Sequence, residues 1–146
     1  MPGVGLLTAT ALVALVGDIR RFQSSRQFAS FLGLTPKEDS SALRRRLGAI
    51  SKQGDVYLRM LLIHGARSVL VHAKSASQAT AFQRWARNTQ QRRGHNIAAV
   101  AVANKLARIV WAVWTRQQPF TPDHPRTTAV TESITSSHQE DCTELN

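Results

Sequence analysis

The sequence predicts a mainly α-helical, compact domain with a long basic loop or short hairpin near its middle. Apolar residues recur at helical spacing in five segments, and no strand-type alternation is long enough to require a sheet. One polar, basic stretch, residues 36–54, interrupts the helical pattern. The 146 residues suffice for one domain with a modest core. We expect the helical domain to occupy residues 1–117 and a disordered tail to occupy residues 118–146, which are rich in Ser, Thr and Glu.

The first two helices are bounded by recognisable start and stop signals. A run of small apolar residues begins at Leu6, and Gly17 is placed to end it. The second helix is expected at residues 25–32, with Ser24 as its N-cap and Gly33 just after its end.

The third helix is expected at residues 55–73, with Asp55 at its N-terminus. Its apolar stripe repeats at steps of three and four residues and consists of Leu58, Leu62, Ala66, Val69 and Ala73. We expect Arg59, Arg67 and Lys74 to lie largely outside this stripe.

Two further helices follow. Residues 81–93 predict a more polar helix with Phe82 and Trp85 facing inward and its arginines in solvent. Residues 95–117 are apolar around most of the helix circumference, which predicts the central helix of the core. Asn104 and two cations interrupt this segment, so we do not expect it to span a membrane.

Charge is distributed unevenly along the chain. Residues 1–117 contain 18 Lys and Arg against four Asp and Glu, whereas residues 118–146 contain one Arg and five acids. A cationic body indicates a polyanionic partner, with nucleic acid first, anionic membrane second and a merely basic soluble protein as the plain alternative. The one cysteine, Cys142, and the lack of a recognisable signal peptide fit a reducing, cytoplasmic location.

The chain opens with Pro2-Gly3-Val4-Gly5 ahead of the first helix. This pattern is similar to the glycine turn of a helix-hairpin-helix module, in which backbone N–H groups approach a DNA phosphate at a helix N-terminus. Gly3 and Gly5 are therefore candidate phosphate-binding residues. The alternative is a plain turn that caps a buried helix.

No metal site is expected from the residue spacing. His64, His72 and His95 have no ligand spacing with one another or with acids, and the acids of the body are too few and too scattered for a two-metal site. We therefore predict no metal-binding residues in this chain.

The stretch at residues 36–54 contains the candidate chemistry. Ser40 and Ser41 precede three consecutive cations, Arg44, Arg45 and Arg46, and Lys52 follows. Guanidinium groups hold a phosphodiester and stabilise its developing charge, and a serine hydroxyl is a nucleophile when it is assisted. From these residues alone, a loop that binds phosphates without chemistry is the better interpretation.

An ordered series of motifs resembles one known domain. The series contains Pro2-Gly3-Val4-Gly5, Phe31-Leu32-Gly33-Leu34-Thr35-Pro36, Ser40-Ser41, Arg46-Leu47-Gly48-Ala49-Ile50-Ser51-Lys52-Gln53-Gly54-Asp55 and Lys105-Leu106-Ala107. It is similar to the C-terminal domain of the DEDD-type insertion-sequence transposases, the IS-110/IS-116/IS-902 family, over about residues 2–116.

The resemblance implies a DNA recombinase that uses two domains. A RuvC-like domain supplies four acids that bind Mg²⁺, and the C-terminal domain supplies a serine that becomes linked to DNA. Carried over to this chain, that serine is Ser41, with Ser40 in reserve. The resemblance also implies a structured guide RNA, assembly as a homo-oligomer or with a full-length transposase, and no membrane partner.

Two departures from the family pattern qualify this expectation. Ala42 stands where the family usually has glycine, and a positive φ there would strain the loop. The RuvC-like domain is absent from the sequence, so Mg²⁺ is expected only with that missing domain and no cofactor is expected in this chain. We expect DNA binding with incomplete catalysis, and the alternative is a non-enzymatic nucleic-acid-binding remnant or regulator of a full-length transposase.

Overall fold

The computed structural model describes residues 1–38, 47–72 and 79–121. These residues form a mainly helical, compact domain, which confirms the predicted fold class. The elements in chain order are α1 (Leu6–Val16), a 3₁₀ turn (Ile19–Arg21), α2 (Ser25–Phe31), β1 (Pro36–Glu38), β2 (Leu47–Ile50), α3 (Val56–His72), α4 (Ala81–Arg93) and α5 (His95–Arg116). The observed helix ends differ from the predicted ends by no more than one residue.

Side-chain caps explain where α2 and α3 begin. The hydroxyl of Ser24 accepts a hydrogen bond from the backbone N–H of Gln27 at the start of α2. The carboxylate of Asp55 accepts one from Leu58 N–H at 2.7 Å, as predicted for the start of α3. Each cap satisfies an N–H group that has no partner within its own helix.

The core is built around α5, which packs against α2, α3 and α4. Its buried positions are mostly alanines and other small residues, which allow the neighbouring helices to approach closely. The largest fully buried side chains of the domain are Phe28, Leu32, Leu34, Leu58, Leu62, Leu70, Val102 and Leu106. The prediction that residues 95–117 form the central helix is therefore confirmed.

By length and composition α5 also meets the criteria for a membrane-spanning helix. Its place in the core gives a simpler account of its apolar character, because six of its residues are buried against neighbouring helices.

The two short strands form an antiparallel hairpin. Pro36 pairs with Ile50 and Glu38 pairs with Leu47, with an irregularity in the register between them. This confirms the short hairpin that the sequence allowed within residues 35–52. The predicted disordered tail falls almost entirely on residues 122–146, which lie outside the described part of the chain.

Candidate functional site

The residues predicted to carry the chemistry fall, in the sequence, between the two strands of the hairpin. Ser40, Ser41, Ala42 and the arginine run at residues 44–46 all fall outside the described residues. The structure describes the two strands on either side of them. It therefore shows how the chain is paired on either side of them.

The two sides of this segment are joined by backbone hydrogen bonds below the strands. The N–H of Ser51 donates to the carbonyl oxygen of Thr35 at 2.8 Å, and the N–H of Lys52 donates to that of Gly33 at 3.2 Å. We call Gly33, Thr35, Ser51, Lys52 and Gly54 the hairpin base. It continues the pairing of β1 and β2 back to the end of α2.

Two glycines let the hairpin base close tightly. Gly33 has φ +68°, and a Cβ there would lie 2.9 Å from the carbonyl oxygen of Gln53. Gly54 has φ +150°, and a Cβ there would collide with the carbonyl oxygen of Phe31. Side chains at these positions would be strained in both backbone conformation and available space. The chain thus enters and leaves the hairpin through one close backbone crossing.

Arg59 corrects one sequence-based expectation. It was expected outside the apolar stripe of α3, but only 9% of it is exposed. Its Nη1 atom donates to the carbonyl oxygens of Leu32 and Gly54, each at 3.5 Å. A buried guanidinium needs such partners, and here it links α3 to both sides of the hairpin base.

The sequence contained a signal that Arg59 is buried. It precedes Leu62 by three residues and Ala66 by seven, so it shares a helix face with two stripe residues. Arg67 is exposed as expected, and Lys74 lies outside the described residues.

α5 supports the same region from a second direction. The Nδ2 atom of Asn104 donates to the carbonyl oxygen of Leu34 at 2.9 Å. Leu34 is buried, so this hydrogen bond satisfies a backbone acceptor that is removed from water. The segment that leads into β1 is therefore attached to both α3 and α5.

Among the cations predicted to bind phosphate, Lys52 lies in the part of the chain that the structure describes. It is exposed and adopts a left-handed backbone conformation with φ +55°. This conformation is uncommon for a residue with a side chain and marks a constrained position. It places an exposed cation at the hairpin base.

The two predicted glycines of the N-terminus have different surroundings. Gly3 has φ +77° in a turn closed by the bond from Val4 N–H to Met1 O, and a Cβ there would meet Gly65 and Val69 of α3. Gly5 is exposed at the start of α1, with open space where a Cβ would be and no side-chain cap. Only Gly5 thus presents an open helix N-terminus.

The turn at Gly3 is separate from the hairpin base. Gly3 contacts α3 at Gly65, six residues after Arg59, which corresponds to about 9 Å along the helix axis. The structure thus does not bring Gly3 to the contact that Arg59 makes with Gly54.

The carboxylates that the structure describes do not fit a Mg²⁺ site. Asp18 accepts a hydrogen bond from Arg20 N–H and Asp55 caps α3, so each serves a different helical turn. No group of three or more His, Cys, Asp or Glu that could hold a metal occurs in the described ranges. Magnesium holds its position in proteins through converging oxygen ligands.

Residues 1–83 match the model of the Transposase IS116/IS110/IS902 family. The chain belongs to this transposase family. A probable family 20 transposase of Pseudomonas aeruginosa is 48% identical over 120 residues, which cover 82% of this chain and 35% of that protein. The transposase for insertion sequence element IS1111A of Coxiella burnetii is also 48% identical over 120 residues, covering 82% of this chain and 32% of the relative.

A more distant relative has a different name. A pilin gene-inverting protein of Moraxella lacunata is 30% identical over 122 residues, which cover 82% of this chain and 36% of that protein. The chain spans about a third of the length of the curated relatives that it matches.

Proposed function

We propose that this chain is the serine-bearing, DNA-binding part of an insertion-sequence transposase. One observation supports this most strongly: a family match across residues 1–83 includes a hairpin whose base is closed by Gly33, Gly54 and the buried Arg59. This base joins the two stretches of chain that flank residues 39–46, where Ser41 and three arginines stand in the sequence. The cationic composition of the body supplies the attraction to DNA.

Ser41 is the proposed nucleophile. Its hydroxyl oxygen attacks a DNA phosphorus, a serine–phosphate bond forms, and the bond to one deoxyribose oxygen breaks. The serine proton is taken up by a base, and the leaving oxygen departs as a hydroxyl. Arg44, Arg45 and Arg46 hold the phosphate and stabilise the charge that develops on it. Ser40 is the reserve nucleophile.

The proposed recombination needs acids from elsewhere. The described carboxylates of this chain cap helical turns, so we propose that a DEDD-domain partner supplies the magnesium ligands. α1 offers a surface for such a partner, because four of its large apolar side chains are more than half exposed: Leu6, Leu7, Val13 and Leu15. A homo-oligomer and a structured guide RNA stay predictions of the same proposal.

Complementation tests the serine assignment. The chain, mixed with a DEDD-domain fragment of a relative and DNA carrying the element ends, should form a covalent protein–DNA adduct that survives denaturation. Ser41→Ala should abolish the adduct, while Ser68→Ala, an exposed serine on α3, should not. An adduct that persists in Ser41→Ala and disappears in Ser40→Ala would move the role to Ser40. An adduct that persists in both would refute serine catalysis.

The second candidate function is a non-enzymatic nucleic-acid-binding regulator of a full-length transposase. Two observations favour it: Ala42 stands where the family usually has glycine, and the described residues contain no converging group of carboxylates. It is distinguished by DNA binding without any adduct, even with the partner present. Affinity should fall steeply between about 50 and 200 mM salt in both cases, and flat, weak binding would refute both proposals.

A further inference from the structure

We propose that the outer face of α4 is a docking surface for duplex DNA and that it lies in the major groove. The inference rests on the proposed function and deepens it. It assigns a DNA contact to side chains that follow residue 83, where the family match ends.

The outward side chains of α4 form a continuous row. Arg84, Arg87, Asn88 and Gln91 are all exposed. Arg87 and Asn88 are three and four residues after Arg84, and Gln91 is four and three residues after them, so the four side chains share one face. We call these four residues the outer stripe. Arg92, also exposed, borders it. One N–H of Arg84 donates to the carbonyl oxygen of Ala79 at 2.7 Å, which leaves its other donors available.

The opposite face of α4 holds the helix in place. Phe82, Ala86 and Thr89 are buried, and the Nζ atom of Lys105 on α5 lies 4.0 Å from the ring centroid of Trp85. The outer stripe is therefore presented on a packed helix. Because the apolar face is already buried in the protein, it is not available for insertion into a membrane surface.

The charge of this half of the domain complements a polyanion. Residues 56–122 contain ten Lys and Arg and no Asp or Glu. No carboxylate of α3, α4 or α5 can therefore neutralise the outer stripe. Even the capping box of α4, formed with Thr80, uses the neutral Gln83.

Helix stability does not account for the stripe cations. Arg92 and Arg93 occupy the last turn of α4, where cations interact favourably with the helix dipole. Arg84 lies in the first turn of α4, where acids would be the stabilising choice and none occurs, and Arg87 lies at the middle of the helix, beyond the reach of either end of the dipole. A negatively charged partner would explain why arginines occupy these two positions.

The dimensions and residue types favour duplex DNA over RNA. A helix is about 10–12 Å across, and the major groove of B-DNA is about 12 Å wide, whereas that of A-form RNA is deep and narrow. Arginine reads guanine or holds phosphates, and asparagine and glutamine pair with adenine in the major groove. The outer stripe combines these residue types.

A salt titration with a short mixed-sequence DNA duplex tests the proposal. Arg84→Gln/Arg87→Gln should weaken binding. Log affinity should also fall less steeply with log salt, with a slope smaller in magnitude by about 1.8, the amount expected for two lost phosphate contacts. The matched control is Arg20→Gln/Arg116→Gln, which removes the same charge from two exposed positions away from α4. Both variants should keep the unfolding free energy of the unmodified chain, because exposed substitutions usually change it by less than about 0.5 kcal/mol.

The outcomes separate this inference from the proposed function. An unchanged slope in the α4 variant, with steep salt dependence in the unmodified chain, would overturn the inference and leave DNA binding intact. An equal loss in the control would show that total charge, and not α4, matters. With an A-form RNA duplex of the same sequence we expect little difference between the variants, and a loss confined to RNA would overturn the choice of DNA. Flat binding by the unmodified chain would refute the proposed function itself.

Discussion

Gly65 of α3 lies in direct backbone contact with Gly3, so a side chain at residue 65 would occupy the space of the Gly3 carbonyl oxygen. This contact sets how closely the N-terminal turn, and α1 after it, approaches α3. It also explains why an interior helical position carries the residue with poor helix propensity.

Gly65→Ala should therefore destabilise the protein. Ordinary Gly→Ala changes inside a helix stabilise by up to about 1 kcal/mol, but overlap with packed backbone costs about 1–3 kcal/mol. We expect a net loss of about 1–2 kcal/mol in the free energy of unfolding, measured by urea denaturation. The control is Gly48→Ala, whose new Cβ would lie 3.7 Å from the nearest atom and should be tolerated. A Gly65→Ala protein more stable than the unmodified chain would contradict the contact.

Arg59→Met should destabilise the hairpin base. The substitution keeps the length of the apolar stem but leaves the carbonyl oxygens of Leu32 and Gly54 without this donor, at a cost of about 1–3 kcal/mol. Arg67→Met, at an exposed position of the same helix, should change stability by less than about 0.5 kcal/mol. Amide hydrogen exchange should also accelerate at Ser51 and Lys52 in the Arg59 variant only. Equal stabilities for the two variants would mean that Arg59 does not hold the base.

Asn104→Ala tests the second attachment of this region. Loss of the hydrogen bond to Leu34 leaves a buried carbonyl oxygen without that partner, which should cost about 1–3 kcal/mol in unfolding free energy. Asn96→Ala is the matched control, because Asn96 is exposed in the first turn of the same helix. If thermal unfolding finds both variants equally stable, the Asn104 contact does not contribute.

Lys52→Gly separates backbone conformation from charge. Glycine accepts φ +55° without strain but adds freedom to the unfolded chain, so stability should change by less than about 1 kcal/mol. If Lys52 contacts a DNA phosphate, the slope of log affinity against log salt should become smaller in magnitude by about 0.9. Lys52→Val should be destabilising, because a β-branched residue tolerates a positive φ poorly. A slope unchanged in Lys52→Gly would remove Lys52 from the proposed interface.

Local signals in the sequence were enough to find the helices. Ser24, Asp55 and Thr80 each cap a helix through a bond to a residue three positions later, so the information is contained within one turn. The apolar spacing likewise identified α5 as the central helix, since periodicity depends only on residues of the same element.

The site was less accessible to such reasoning. The serines and arginines of the hairpin stood out by residue type, but the contacts that restrain their base join residues far apart in the chain. Arg59 was expected to lie largely outside the apolar stripe of α3, and only its approach to Leu32 and Gly54 accounts for its burial.

The sequence by itself determined the helical class, the helix boundaries and the family, because propensity, capping and motif order are properties of neighbouring residues. Only the tertiary structure decided that Gly3 packs on Gly65, that Arg59 closes the hairpin base and that α4 presents a carboxylate-free row of polar side chains to solvent. These features depend on which faces of separate helices meet. The packing of the whole core determines which faces meet, and no single segment contains that information.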